Sequence, residues 1–317
     1  MIYILASIGF AYLLNRLIGD FPIIPKVPQL LTRFIVYTEE RWYKAEGTPK
    51  SQSTKGIFAL IFAVIVAFFL PVIFIFSLYY VYHGADWIAH TIICCQLLGM
   101  HTIQKSCEAI FKGLHFDDIQ AARNAFTDFS SLDSADLTGE NLIRETVLTT
   151  AEQSLRTVTA PLFFMCIGGA PLACLYTLTE IMTRRSILHP ELTQFYKGAR
   201  FVNKYLLALP ARFSALFMIY AAYLCRLSSK EALHILRRDR GLSFNDTYTT
   251  APLAGALQLR LGGTVSFGAV TLVRPTIGDE GETPAEGHIQ KGKSMMYAAS
   301  ICAWIIFLIL SWLCFVR

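Results

Sequence analysis

The chain has 317 residues, 54% of them hydrophobic and 16% charged, with a formal net charge of +5 and a mean hydropathy of +0.46. A soluble domain is typically about 45–50% apolar and about 25% charged, so composition points to lipid as the solvent for much of the chain. The basic residues are spread over several loops rather than gathered in one tract, which excludes the footprint of a nucleic-acid-binding protein. Of the cysteines, Cys166, Cys174, Cys225, Cys302 and Cys314 lie inside apolar runs, and no pair has the C-x-x-C spacing of a zinc or redox site. They read as small, reduced residues packed among helices.

The first apolar run, Ile2 to Ile18, ends at Asn15 and Arg16 and reads as a first span or an anchored hairpin arm. It lacks the basic start and small-residue cleavage site of a signal peptide. Pro22, Pro25 and Pro28 make the next stretch extended or turn-like. Thr32 to Lys44, carrying Phe34, Tyr37 and Trp42, predicts an amphipathic helix on the membrane surface. Residues 57–82 hold no charge and form the clearest span, with Pro71 placed to kink it and Tyr79, Tyr80 and Tyr82 as an aromatic belt.

Trp87 to Met100 is too short for a span and, with Thr102 to Phe116, predicts one long helix against the bundle. Glu140 and Arg144, four residues apart, support a helix from about Thr138 to Leu155. Residues 158–179 are apolar but interrupted by Gly168-Gly169-Ala170-Pro171. That break describes either a kinked span or a re-entrant pair of half-helices whose broken backbone faces a cavity. The basic residues of 19–56 and 226–295 favour the re-entrant alternative, which puts more of them on one side. Residues 205–225 form a further span, 226–295 hold a basic helix (Leu227 to Arg240) and a β-like piece (Val265 to Val273), and 296–316 form the last span.

The expected fold is therefore an all-α polytopic membrane bundle, one integral domain over residues 1–317. It has about four or five spans (2–18, 57–82, 158–179, 205–225, 296–316), a count that rests on roughly 20 apolar residues per crossing. The polar segments 19–56, 83–157 and 226–295 are expected to carry the site. No internal repeat is present, which argues against a transporter built from inverted repeats.

Chemistry-bearing residues are few. Ser243 and Asn245 lead into Ala254-Gly255-Ala256 and then Arg260, Gly262 and Gly263. Small residues allow close backbone approach, and Arg260 can hold a phosphate or carboxylate in a bidentate fork. The same pattern describes tight helix packing followed by a Gly-Gly C-cap. Arg212, after Pro210-Ala211 at a membrane boundary, is costly unless paired, ligand-bound or snorkelling. Glu152 reads as a general base or metal ligand, or as part of a solvated helix face. His90, His101 and His115 do not match a metal-ligand spacing, so no metal ligands are assigned.

Taken together, these segments resemble the adenosylcobinamide-phosphate synthase family, the CobD/CbiB membrane proteins of cobalamin biosynthesis. The resemblance begins at Gly19-Asp20 and Pro22 and continues through Ala122-Arg123, Glu152, Ala160-Pro161-Leu162-Phe163, Gly168-Gly169-Ala170-Pro171 and Tyr176. It runs on through Ala199-Arg200, Pro210-Ala211-Arg212, Ser243 with Asn245, Ala254-Gly255-Ala256-Leu257, Arg260-Leu261-Gly262-Gly263, Arg274-Pro275 and Ile277-Gly278. The order and spacing carry it, since no single match is specific.

The resemblance implies a multi-pass protein of the cytoplasmic (inner) membrane that joins aminopropanol phosphate to the free propionate of adenosylcobyric acid. This amide ligation uses ATP and Mg²⁺. The apolar spans make the lipid bilayer a partner, the resemblance adds a corrinoid or other anionic small molecule, and a second copy or a membrane partner is a further expectation. By the same resemblance Glu152 is the catalytic candidate, and Arg200, Arg212, Ser243, Asn245, Arg260, Gly262, Gly263 and Tyr176 are substrate-binding candidates. The family's acidic positions have changed, however. Leu148, Gln153 and Arg156 flank Glu152 where Glu, Asn and Asp are usual, Glu180, Ile181 and Thr183 replace an Asn-Thr-x-Asp motif, and Asn203-Lys204 replace an Asp pair. Leu207 stands where an Asn is usual, and Thr250 where a Glu is. Carboxylates are the hard oxygen ligands that Mg²⁺ prefers, so their loss leaves the alternative of a catalytically degenerate member that binds a ligand or partner in a regulatory role.

Overall fold

The computed structural model describes residues 2–19, 26–82, 84–267 and 270–315. Asp20, Pro22 and Pro25 of the expected turn lie outside the described residues. In chain order the helices are α1 (Ile2–Leu17), α2 (Val27–Trp42), α3 (Pro49–Val81), α4 (Ala85–Leu97), α5 (Met100–His115), α6 (Ile119–Ser130) and α7 (Gly139–Ser154). A π-helical turn (Leu155–Thr159) precedes α8 (Ala160–Leu188), and a 3₁₀ turn (Pro190–Leu192) precedes α9 (Lys197–Leu206). Then come α10 (Ala208–Leu224), α11 (Ser229–Asp239), α12 (Thr247–Leu257), strands β1 (Leu261–Phe267) and β2 (Val270–Ile277), and α13 (Gly287–Phe315).

Three helical stretches among the described residues are long and apolar enough to cross a membrane: Pro49–Val81, Gly139–Leu188 and Gly287–Cys314. Lys197–Leu206 with Ala208–Leu224 make a fourth if counted as one broken span. The expected first span falls short: α1 has 16 residues, about 24 Å at 1.5 Å per residue against a hydrocarbon core of about 30 Å. The chain is an all-α membrane bundle, with one two-stranded antiparallel hairpin in place of the single β-like piece expected.

The described residues pack as two compact units. The first comprises Met1–Leu98, Ala160–Leu207 and Trp304–Arg317. Its α3 turns small residues inward at a four-residue spacing, Ala59, Ala63, Ala67 and Pro71, and exposes Phe58, Phe62, Phe69, Ile73 and Phe74. Small residues let helix backbones approach, while apolar residues facing outward suit a lipid solvent. At Gly56 a Cβ would lie 1.8 Å from the Phe195 carbonyl oxygen, so only glycine allows that contact. Ile35, Leu178, Met182, Leu192, Phe195 and Tyr196 fill the space against α3.

The Gly-Gly-x-Pro pattern in α8 is a real break, with Gly168 at φ −141° and Gly169 at φ 65°. The two halves do not run on as one rod: Phe164 and Tyr176, twelve residues apart, stack at 5.0 Å, where an unbroken helix would set them about 18 Å apart along its axis, so the chain bends sharply at the break and the re-entrant alternative stands beside the kinked span. The N–H of Ala170, freed by the break, donates to His90 Nε2 at 3.1 Å. His90 Nδ1 then meets Ser7 Oγ at 2.7 Å, and Ser7 donates to the Ile4 carbonyl. A broken helix at membrane depth survives only where such partners satisfy its backbone.

The second unit comprises Gly99–Thr159 and Ala208–Ala303. The single helix expected over residues 87–116 does not form: Gly99 ends it by approaching Thr157, whose Oγ1 would lie 2.5 Å from an added Cβ, and by donating to the Thr157 carbonyl at 2.9 Å. Thr138 caps α7 through the Asn141 N–H. The run Ala254-Gly255-Ala256 serves helix packing, since a Cβ on Gly255 would lie 2.5 Å from the Glu231 carbonyl of α11. Gln258, in the left-handed conformation, ends α12, which is the role the sequence suggested for Gly262-Gly263. Those glycines instead belong to β1 at φ 82° and 97°, beside an irregularity of register between Leu261 and Gly263.

Candidate functional site

Charge gathers in the second unit where α7, the π-helical turn, α10, α12 and β2 meet. Glu145 and Glu152 are seven residues apart on α7, two helical turns, and so share a face. Both point at Arg274 on β2: Arg274 Nη1 donates to Glu145 Oε2 at 2.6 Å, and its Nε lies 3.7 Å from Glu152 Oε1. Glu145 is only 2% exposed, and a carboxylate so buried persists only when paired. Burial works against the charge of Arg274, but Glu152 and Glu145 outweigh it and hold its proton more firmly than in an ordinary guanidinium.

The π-helical turn follows directly. Such turns insert an extra residue and re-aim the side chains after it. Arg156 within it donates to Asp246 Oδ1 at 2.6 Å, at the start of α12. Next to Asp246, buried Asn245 accepts from Arg212 Nη1 at 3.1 Å. Arg212 Nη1 also donates to the Ala208 carbonyl at 2.7 Å. The guanidinium lies 4.5 Å from the ring centre of Tyr248 and 5.0 Å from that of Phe244. Among the described residues no carboxylate pairs with Arg212.

Glu152, Arg212 and Asn245 of the expected site thus share one neighbourhood, with Arg156, Asp246 and Arg274. Ser243 stands at its edge, its N–H donating to Thr247 Oγ1 at 3.2 Å. Arg260, Gly262 and Gly263 line another place in the same unit, a polar groove of about 510 Å³ that includes Glu140, Arg144, Ser266 and Glu280. Arg260 pairs with Glu280 there, and its carbonyl accepts from Arg144 Nη1 at 2.6 Å. Tyr176 and Arg200 belong to the first unit. Tyr176 is fully buried and stacked on Phe164 at 5.0 Å. Arg200 is exposed on α9. Of the changed acidic positions in that unit, Asn203 Nδ2 donates to Glu180 Oε2 at 2.7 Å.

Glu145 is the member of this cluster that sequence reasoning missed. It precedes the altered position Leu148 by one turn, and Leu148 is packed away at 1% exposure. The sequence signal was its spacing to Glu152, which puts two acids on one helix face.

A helical membrane protein with a charged site walled by α7, α10, α12 and a hairpin is the class that fold and site define. The family model described as CobD/Cbib protein matches residues 8–296. The chain belongs to the CobD/CbiB family. "Cobalamin biosynthesis protein CobD" of Listeria monocytogenes serotype 4b (strain F2365) is 32% identical over 216 residues, 66% of this chain and 68% of that protein. The protein of the same description from Yersinia enterocolitica serotype O:8 / biotype 1B is 31% identical over 227 residues, 70% of each chain. That from Clostridium perfringens (strain 13 / Type A) is 27% identical over 315 residues, 96% of this chain and 97% of its own length. No solved structure matches the chain.

The donor set does not fit the Mg²⁺ that ATP would bring. Mg²⁺ takes oxygen ligands in near-octahedral order, commonly one or two carboxylates with substrate phosphates. Here Glu145 and Glu152 are turned to Arg274, and Asp246 to Arg156. Among the described residues no group of three or more His, Cys, Asp or Glu side chains is arranged around a metal position.

Proposed function

We propose that this chain serves cobalamin assembly as a membrane protein that binds an anionic pathway intermediate, and that it has given up the Mg²⁺- and ATP-dependent ligation of its family. The observation that carries the reading is Arg212. Its aromatic walls and Asn245 hold the guanidinium in place, and both of its bonds come from Nη1, so Nε and Nη2 remain to meet a phosphate or a propionate carboxylate. Around it the acids are neutralised by Arg156 and Arg274, which removes the repulsion an anion would meet.

A second reading, retained amide ligation, draws on Glu145 and Glu152 reaching the same arginine from one helix face. It requires those carboxylates to leave Arg274 when substrate arrives.

Calorimetric titration of the purified full chain with adenosylcobyric acid and with aminopropanol phosphate tests the binding reading. Arg212→Gln should weaken binding of one of them about 10–100-fold, the worth of a charged hydrogen bond of roughly 1.5–3 kcal/mol, with thermal unfolding nearly unchanged. Binding that is unaltered by the substitution, or absent in the wild type for both compounds, sinks it.

A further inference from the structure

Helix α9 has two unlike faces. Ala199 and Asn203 are buried, and Asn203 is anchored to Glu180. The opposite stripe, at helical spacings of three and four, carries Lys197, Arg200, Phe201, Lys204 and Tyr205, all exposed. Phe201 is 63% exposed and Tyr205 54% exposed. The two rings pack edge to face at 5.0 Å, and the Lys204 ammonium lies 5.9 Å from the Tyr205 ring centre. No carboxylate pairs with Lys197 or Arg200 among the described residues.

In water, a stripe of three cations with two large exposed rings has no economy. At the boundary of a bilayer each part has a place. Aromatic rings favour the headgroup level, Lys and Arg stems lie along apolar surface while their heads reach out, and each cation near an anionic lipid surface is worth about 1 kcal/mol. We infer that α9 lies at the membrane surface and that Lys197, Arg200 and Lys204 bind the phosphates of anionic lipid headgroups. Charge complementarity fixes the occupant: a zwitterionic surface offers the rings the same depth but gives the cations no net attraction. Arg200, a substrate-binding candidate by family resemblance, is thereby assigned to the membrane.

The test uses the full chain in detergent micelles, followed by thermal unfolding during titration with phosphatidylglycerol, phosphatidylcholine or inorganic phosphate. Three proteins are compared: the wild type, the triple variant Lys197→Gln, Arg200→Gln, Lys204→Gln, and a control that removes two exposed charges, Arg237 in α11 and Arg240 just after it, as Arg237→Gln and Arg240→Gln. Phosphatidylglycerol should raise the Tm of the wild type and the control well above the effect of phosphatidylcholine, and the triple variant should lose most of that increment. The increment should also shrink at 1 M salt, where the screening length falls to about 3 Å. Equal increments in wild type and triple variant overturn the inference. So does an increment reproduced by inorganic phosphate, which marks a soluble-anion site, and so does equal loss in the control, which marks net charge alone.

Discussion

Arg212 and His90 show how single side chains do different work in the two units. Arg212 is held by rings and an amide, and the role proposed for it is in binding. His90 is 7% exposed, and its role is to satisfy the backbone where α8 is broken. Because Nε2 accepts from Ala170, the ring proton belongs on Nδ1, directed at Ser7 Oγ. His90→Leu keeps the bulk and removes the acceptor, leaving a buried N–H without its partner, which costs about 1–3 kcal/mol. The expected result is a clearly lower Tm of the purified protein with ligand binding intact at low temperature. An unchanged Tm would show that the break does not depend on this bond.

At the scale of elements, the end of α11 is tied to the end of the hairpin. Asp239 accepts from the Gly278 N–H at 3.0 Å, and Arg238 forks onto Asp239 and onto Asp279. Burial pushes the Asp239 carboxyl up, but the Arg238 guanidinium and the Gly278 N–H prevail and hold it below the usual carboxylate range. A folded pKa below the unfolded value of about 3.9 means stability that is fully present above that value and lost as pH falls through the folded one. Asp239→Asn should therefore lower Tm at pH 7, and the gap to wild type should close as the pH is brought below about 4. A gap of constant size down to pH 3 would remove the ionised carboxylate from the explanation.

Elements were legible where their cause is local. The uncharged run 57–82, the break at Gly168-Gly169, and Thr138 before α7 each announce themselves in a few adjacent residues. The parting of α4 from α5 did not, because the apolar pattern runs through it and the reason is Gly99 meeting Thr157, remote in sequence. The hairpin was half visible as Val265 to Val273, since one strand's pattern does not show the partner that pairs with it. In the candidate site, Glu152, Arg212 and Asn245 stood out from their own sequence surroundings before the family spacing added to them. Glu145 did not, because its burial and its pairing with Arg274 across 129 residues exist only once the chain is folded.

For the whole molecule, the acids around the site are tied to arginines, Glu145 and Glu152 to Arg274 and Asp246 to Arg156, at and beside positions where the family resemblance implies free carboxylates. The proposal drawn from it is a CobD/CbiB member that binds an anionic intermediate through Arg212 and does not ligate it. The direct test is complementation: this chain, placed in a bacterium that lacks its adenosylcobinamide-phosphate synthase and is fed adenosylcobyric acid as its only corrinoid. The account predicts no cobalamin-dependent growth while the protein is present in the membrane and binds the corrinoid or aminopropanol phosphate through Arg212. Growth that depends on Glu145 and Glu152 would contradict it and establish that the ligation survives on a rearranged pair of acids.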